Sequence, residues 1–184
     1  MSVVLGGSRK IDRLPGEIQE LLESLMSNSE EFIVGDAVGS DLAFQKFFSG
    51  SKYLPVTVFS SAGYVRNNVG HWPEQLIESG LKSKSNAVHA VKDRKMVEIA
   101  QSGIMIWDSE SAGTLSNVID LVDQEKECYL WLAAESELCR FDNSKSLEKF
   151  LAKFPEQAEE ATKRLNRFRK RQMKSTQADE QTLF

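Results

Sequence analysis

At 184 residues the chain has room for one domain with an appendage. A net charge of −4 excludes a general nucleic-acid coat, and the two cysteines, Cys128 and Cys139, make no spacing that reads as a metal or redox motif. No apolar stretch approaches the length of a membrane span, and Met1-Ser2 leads straight into a strand rather than a secretory signal, so the expected compartment is the cytoplasm.

Residues 2–6 read as the first strand, and Val3-Val4-Leu5 runs into the turn Gly6-Gly7-Ser8-Arg9-Lys10. Pro15 sits near the start of a helix through Met26, with Ile18, Leu21, Leu22 and Leu25 on one face. Residues 31–35 read as the second strand, and Phe32-Ile33-Val34 enters the turn Gly35-Asp36-Ala37-Val38-Gly39-Ser40-Asp41. A helix is expected over residues 40–48, then a β-branched strand, Val56-Thr57-Val58-Phe59, opened by Pro55. A Gly- and Asn-containing loop over 60–73 leads to a short helix over 74–80 and an exposed polar stretch over 82–86.

Residues 87–101 have the apolar spacing of a helix, with Val91, Met96, Val97 and Ala100, and Gly103 is expected to close it. Ile104-Met105-Ile106-Trp107 is the fourth strand and feeds the turn Asp108-Ser109-Glu110-Ser111-Ala112-Gly113-Thr114. A helix over 114–123 and a strand over 129–133 follow. This alternation predicts an α/β fold, a Rossmann-like, mainly parallel sheet of about five strands with helices on both faces. The expected domain covers residues 1–140. Residues 141–174 are expected to form a helical extension, with Ser144 capping its first helix and Pro155 opening its second, and residues 175–184 a disordered tail. The second helix starts acidic at Glu156, Glu159 and Glu160 and turns basic from Lys163 to Lys174, a polarity that suits a helix dipole.

Three strand ends thus carry small, polar turns. In an open α/β sheet, ligands sit at the carboxyl ends of the strands. Glycine lets backbone N–H groups approach a ligand, and a helix N-terminus favours an anion. The pattern points to one composite pocket for a phosphate-bearing small molecule, a nucleotide or a relative of one.

Gly6-Gly7-Ser8-Arg9 resembles the first-strand turn of small bacterial branches of the SLOG superfamily. These are Rossmann-like domains that include the Lonely Guy phosphoribohydrolases and the DNA-processing A proteins. The run Asp93-Arg94-Lys95-Met96-Val97-Glu98-Ile99-Ala100, then Gly103-Ile104-Met105-Ile106-Trp107, then Ser111-Ala112-Gly113-Thr114, is similar to the Lonely Guy order of an Arg-Lys pair, a strand and a Gly-Gly-x-Gly-Thr loop. Gly35-Asp36-Ala37 and Trp107-Asp108 also match turns of the small branches, and the resemblance covers residues 2–133. It implies a nucleotide-family ligand. Where the phosphoribohydrolases place a glutamate three residues past the Thr, this chain has Asn117, and an amide cannot act as a general base.

Gly7, Ser8 and Arg9 are candidates to cradle a phosphate. Asp36 is the candidate for a ribose hydroxyl pair, Gly39 belongs to the same turn, and Asp41 is expected to cap the following helix. Ser111, Gly113, Thr114 and Asn117 form the second ligand-binding set, with Ser111 or Thr114 as helix caps in the plainer alternative. Arg94 is either the functional arginine that the resemblance implies or a solvated charge among Lys92, Asp93, Lys95 and Glu98. If the chain is an enzyme, an N-glycoside hydrolase or transferase, its carboxylate is sought among Asp36, Asp108 and Asp120. His71 and Trp72 can touch a base or sugar, though a tryptophan more often packs; His71 and His89 make no metal pattern, and neither a metal nor a cofactor is expected. The preferred reading is a sensor or sequestering module for a nucleotide-derived small molecule, as a homodimer in keeping with related domains. The basic run from Lys163 leaves a nucleic-acid accessory role as a further alternative.

Overall fold

The computed structural model describes the backbone of residues 1–61, 63–78 and 86–181, and the side chains of these except 86–88 and 171–181. The polar stretch expected over 82–86 lies outside the described residues but for the backbone of Asn86.

The chain runs β1 (Ser2–Gly7), α1 (Gly16–Ser27), β2 (Glu31–Gly35), α2 (Ser40–Gly50), β3 (Val56–Ser60), β4 (Glu74–Leu76), α3 (Asn86–Ile99), β5 (Ser102–Trp107), α4 (Ala112–Asp123), β6 (Glu127–Leu132), β7 (Glu137–Phe141), α5 (Ser144–Leu151) and α6 (Pro155–Gln181). These strands form one sheet in the order β4-β3-β2-β1-β5-β6-β7. All neighbours pair in parallel except β6 and β7. The fold is thus Rossmann-like, as the β-α alternation predicts.

The sheet has seven strands rather than about five. The two additions are its edges, where the pattern of a strand buried on both faces gives way. Glu74-Gln75-Leu76 is exposed throughout and is joined to β3 through backbone groups: Val58 N–H donates to Pro73 O at 2.9 Å and Ile77 N–H to Ser60 O at 2.8 Å. Residues 74–76 are therefore strand where a short helix over 74–80 is expected. β7 is short, buries only Phe141 fully, and returns antiparallel from β6.

Successive side chains of the central strands pack on opposite faces. Val3, Leu5, Phe32, Val34, Ile104 and Ile106 pack with Ile18 and Leu22 of α1 and Phe44 and Phe48 of α2. Val4, Ile33, Met105, Trp107 and Leu130 face α3 and α4 on the other side. Helices α5 and α6 close that second layer through Leu147, Phe150, Ala161 and Leu165. Gly103, expected to end α3, lies inside β5. A β-carbon there would come within 2.4 Å of Leu121 Cδ1, so the glycine lets α4 lie close on the sheet. Asn143, not Ser144, caps α5, its Oδ1 accepting from Ser146 N–H at 3.0 Å. The last helix continues through Gln181, past residue 175 where the tail is expected to begin. No helix among the described residues is long and apolar enough to cross a membrane.

Candidate functional site

The sheet order reverses direction between β1 and β5, and a cavity of about 400 Å³ opens at their carboxyl ends. Five segments line it. They are the β1 turn through Lys10, the β2–α2 turn at Ala37, Val38 and Asp41, one face of α3, the β5–α4 turn with Asn117, and Arg164 of α6.

The β1 turn is tightly held. A β-carbon on Gly7 would lie 2.4 Å from Ile106 O and 2.7 Å from Ser40 Oγ, so no other residue fits without displacing backbone. Ser8 N–H donates to Ile106 O at 2.9 Å, and Ser8 O accepts from Ser40 N–H and Oγ at 3.1 and 2.8 Å. Gly39, with φ of 81°, brings its backbone against that of Arg9, and a β-carbon there would lie 2.4 Å from Arg9 Cα. Gly39 is the N-cap residue of α2, a task expected of Asp41; Asp41 instead turns back and accepts from Ala37 N–H at 3.1 Å.

Ser8 Oγ donates to Asp108 Oδ2 and accepts from Lys10 N–H at 3.1 Å. Asp108 Oδ1 accepts from Ser111 N–H at 2.8 Å and Glu110 N–H at 3.2 Å. Burial pushes the Asp108 carboxyl up, but Ser8 and these amides outweigh it and hold it below the usual aspartate value. The side chains of Ser8 and Asp108 thus clip the two cavity-lining turns together. Ser111 caps α4, its Oγ accepting from Thr114 N–H at 3.3 Å. Asn117, one turn further on, lines the cavity, and its Oδ1 is buried with no hydrogen-bond partner among the described residues.

Four predicted residues stand apart from the cavity wall. Asp36 is fully buried and accepts from Arg66 Nε, Arg66 Nη2 and Ser60 Oγ at 2.9, 2.6 and 2.8 Å. Gly39 lies behind Arg9. Arg94 and Asp120 are buried against one another at 2.7 Å, Arg94 also donating to Ser116 O at 3.1 Å, which joins α3 to α4. Of the candidate catalytic carboxylates, only Asp108 lines the cavity. Trp72 packs in the core and donates from Nε1 to Tyr53 O at 2.9 Å, and exposed His71 is not on the cavity wall.

Other residues on that wall carry charge the sequence reading did not assign to it. His89, Lys92, Asp93 and Met96 are spaced i, i+3, i+4, i+7 on α3, a periodicity that marks one helix face. Lys92 Nζ is buried 3.7 Å from Asp36 and Asp41 and 3.8 Å from Asp93. Burial disfavours its charge, but the three carboxylates raise its pKa above the ordinary lysine value. Burial lowers the His89 pKa, as do the charges of Arg66, Arg9 and Lys92, which favours the neutral imidazole. Arg164 comes from α6, and no local sequence signal ties it to this wall.

The basic run of α6 is not a uniform solvated stripe. Arg169 Nη2 reaches Asp120 and Asp123 at 3.0 and 2.9 Å, Lys163 pairs with Glu159, and Arg164 faces the cavity.

No protein-family profile matches the chain, and no curated protein is similar to it in sequence. Among solved structures, the fold is similar to that of DNA processing protein A from Helicobacter pylori, with a TM-score of 0.52 and 15% identity. The match covers 83% of this chain and 72% of that one, which was described for its mode of binding single-stranded DNA.

Proposed function

We propose that this chain is a SLOG-type domain that binds a nucleotide or nucleotide-derived small molecule in the cavity between β1 and β5, as a cytoplasmic sensor or sequestering module. The observation that carries the reading is the convergence of Arg9, Arg164 and the first turn of α4 on one cavity. Its volume falls within the roughly 300–1,000 Å³ of small-molecule sites. Ser111 takes up the Thr114 amide, while the earliest amides of a helix, here those of Ala112 and Gly113, have no partner within it and are suited to a phosphate, and a guanidinium fork matches phosphate geometry. Asn117 lines the same cavity.

Two features favour retention over turnover. Position 117 carries an amide. Asp108, the catalytic candidate on the wall, has both oxygens engaged by Ser8, Ser111 and Glu110. A thermal-shift screen with nucleotides, nucleotide sugars and cyclic nucleotides, with products read by mass spectrometry, tests this. The expected result is a raised midpoint with the ligand recovered intact. A freed base or ribose phosphate would favour the N-glycoside hydrolase reading instead.

A second reading, binding of single-stranded nucleic acid, is favoured by the fold likeness to DNA processing protein A. Exposed Arg167 and Lys170 would then add phosphate contacts. Truncating α6 would remove core residues Ala161 and Leu165, so the informative variant is the double substitution Arg167→Glu, Lys170→Glu. Salt-sensitive binding of a single-stranded oligonucleotide that this variant loses would support the second reading.

A further inference from the structure

Helix α6 looks at first like an appendage to the ligand domain, yet its docking places a charge at the cavity. Ala161 and Leu165 are buried among Trp107, Leu115, Val118 and Phe150, so this stretch of α6 is part of the core. Four residues past Leu165, Arg169 binds Asp120 and Asp123 of α4, which fixes the rotation of α6 against that helix. Between them, half-buried Arg164 lies over the first turn of α4. A β-carbon on Gly113 would sit 3.6 Å from its guanidinium carbon. Unlike Lys163 and Arg169, Arg164 has no carboxylate partner among the described residues.

That placement is electrostatically incomplete. A helix N-terminus carries a partial positive charge, and a cation beside it is unfavourable. The arrangement becomes complementary when an anion lies between the two. The carboxylates on the wall are engaged elsewhere: Asp108 with Ser8 and two amides, Glu110 with Lys10, and Asp41 and Asp93 with Lys92. Asn117 lines the same cavity, and its Oδ1 is buried without a hydrogen-bond partner among the described residues.

Resting on the reading of the cavity as a phosphate site, we propose that Arg164 is the ligand contact through which α6 senses occupancy. A phosphate-bearing ligand bridges Arg164 and the first turn of α4. Ligand binding and the docking of α6 on α4 are therefore linked, and each strengthens the other. Filling the cavity tightens α6, and a partner that pulls α6 away empties the cavity.

The test uses the full chain with inorganic pyrophosphate as probe, at fixed ionic strength, by calorimetry and amide hydrogen exchange. In the wild-type protein, pyrophosphate is expected to slow exchange along α6. Arg164→Gln should weaken pyrophosphate binding about tenfold or more, the effect of one charge-assisted hydrogen bond, and abolish the response of α6. Its unliganded melting midpoint should hold or rise, since a cation leaves the helix pole. Arg169→Gln, which loosens α6 without touching the cavity, should also weaken binding. Unchanged affinity in Arg164→Gln, or a wild-type protein that binds without any change in α6, overturns this inference alone. No binding of pyrophosphate by the wild-type chain overturns the phosphate-site reading with it.

Discussion

Arg66 grips both oxygens of Asp36, with Nη2 2.6 Å from Oδ1 and Nε 2.9 Å from Oδ2. Arg66 lies in the loop between β3 and β4, so this fork anchors that loop to the end of β2 beside the cavity. Asn67 reinforces it, donating from Nδ2 to Asp36 O at 2.8 Å. The carboxylate that the sequence pattern assigns to a ribose is thus engaged within the protein.

Asp36 should therefore govern acid stability. Burial pushes its carboxyl up, but Arg66, Ser60 and Lys92 prevail and hold it well below the ordinary aspartate value of about 3.9. A depressed folded pKa gives stability that is full above the unfolded value and lost as pH falls through the folded one. Asp36→Asn should cost about 3–5 kcal/mol at pH 7, as for a broken buried pair, and flatten the loss of stability on acidification. Urea unfolding at pH 7 and pH 3 measures both.

The Arg94–Asp120 pair should behave as structure rather than as chemistry. Asp120→Leu leaves a buried guanidinium without its carboxylate and should destabilise by about 3–5 kcal/mol. The double variant Arg94→Met, Asp120→Leu should cost clearly less than the sum of the two single changes. Denaturant titrations of the four proteins close that cycle.

Gly7→Ala should be harmful out of proportion to its size. The added methyl meets Ile106 O, which belongs to β5 and cannot rotate away. A loss of about 1–3 kcal/mol is expected from overpacking, together with weaker ligand binding as the β1 turn shifts. Chemical denaturation and the nucleotide screen report the two effects separately.

Asn117→Ala should divide stability from binding. Removing a buried oxygen that has no partner relieves a desolvation cost of about 1–3 kcal/mol, offset in part by lost packing. The melting midpoint should hold or rise while affinity for the nucleotide found in the screen falls. A lower midpoint with undiminished affinity would mark Asn117 as a packing residue.

The central strands are legible because a parallel strand covered on both faces is a short apolar run, as in Val3-Val4-Leu5 or Ile104-Met105-Ile106-Trp107. Edge strands have no such constraint, and Glu74-Gln75-Leu76 is joined to β3 through backbone groups that every residue carries. The same division runs through the site. Gly7, Ser111, Gly113 and Thr114 are legible because a strand-to-helix turn needs particular residues at fixed offsets. The destiny of Asp36 depends on Arg66, thirty positions away. The place of Arg164 depends on how α6 lands on α4. Neither long-range pairing leaves a local trace in the chain.

The pairing of β1 with β5 sets Val3 beside Ser102 and Gly7 beside Ile106. During synthesis, the first strand and its glycine turn emerge long before the strand that completes them. A nascent chain ending before Asp108 lacks the anchor for Ser8, and one ending before Arg164 lacks the last wall of the cavity. Long sequence separation of contacts slows folding. The wall of the cavity is therefore assembled only after the chain has been made through Arg164.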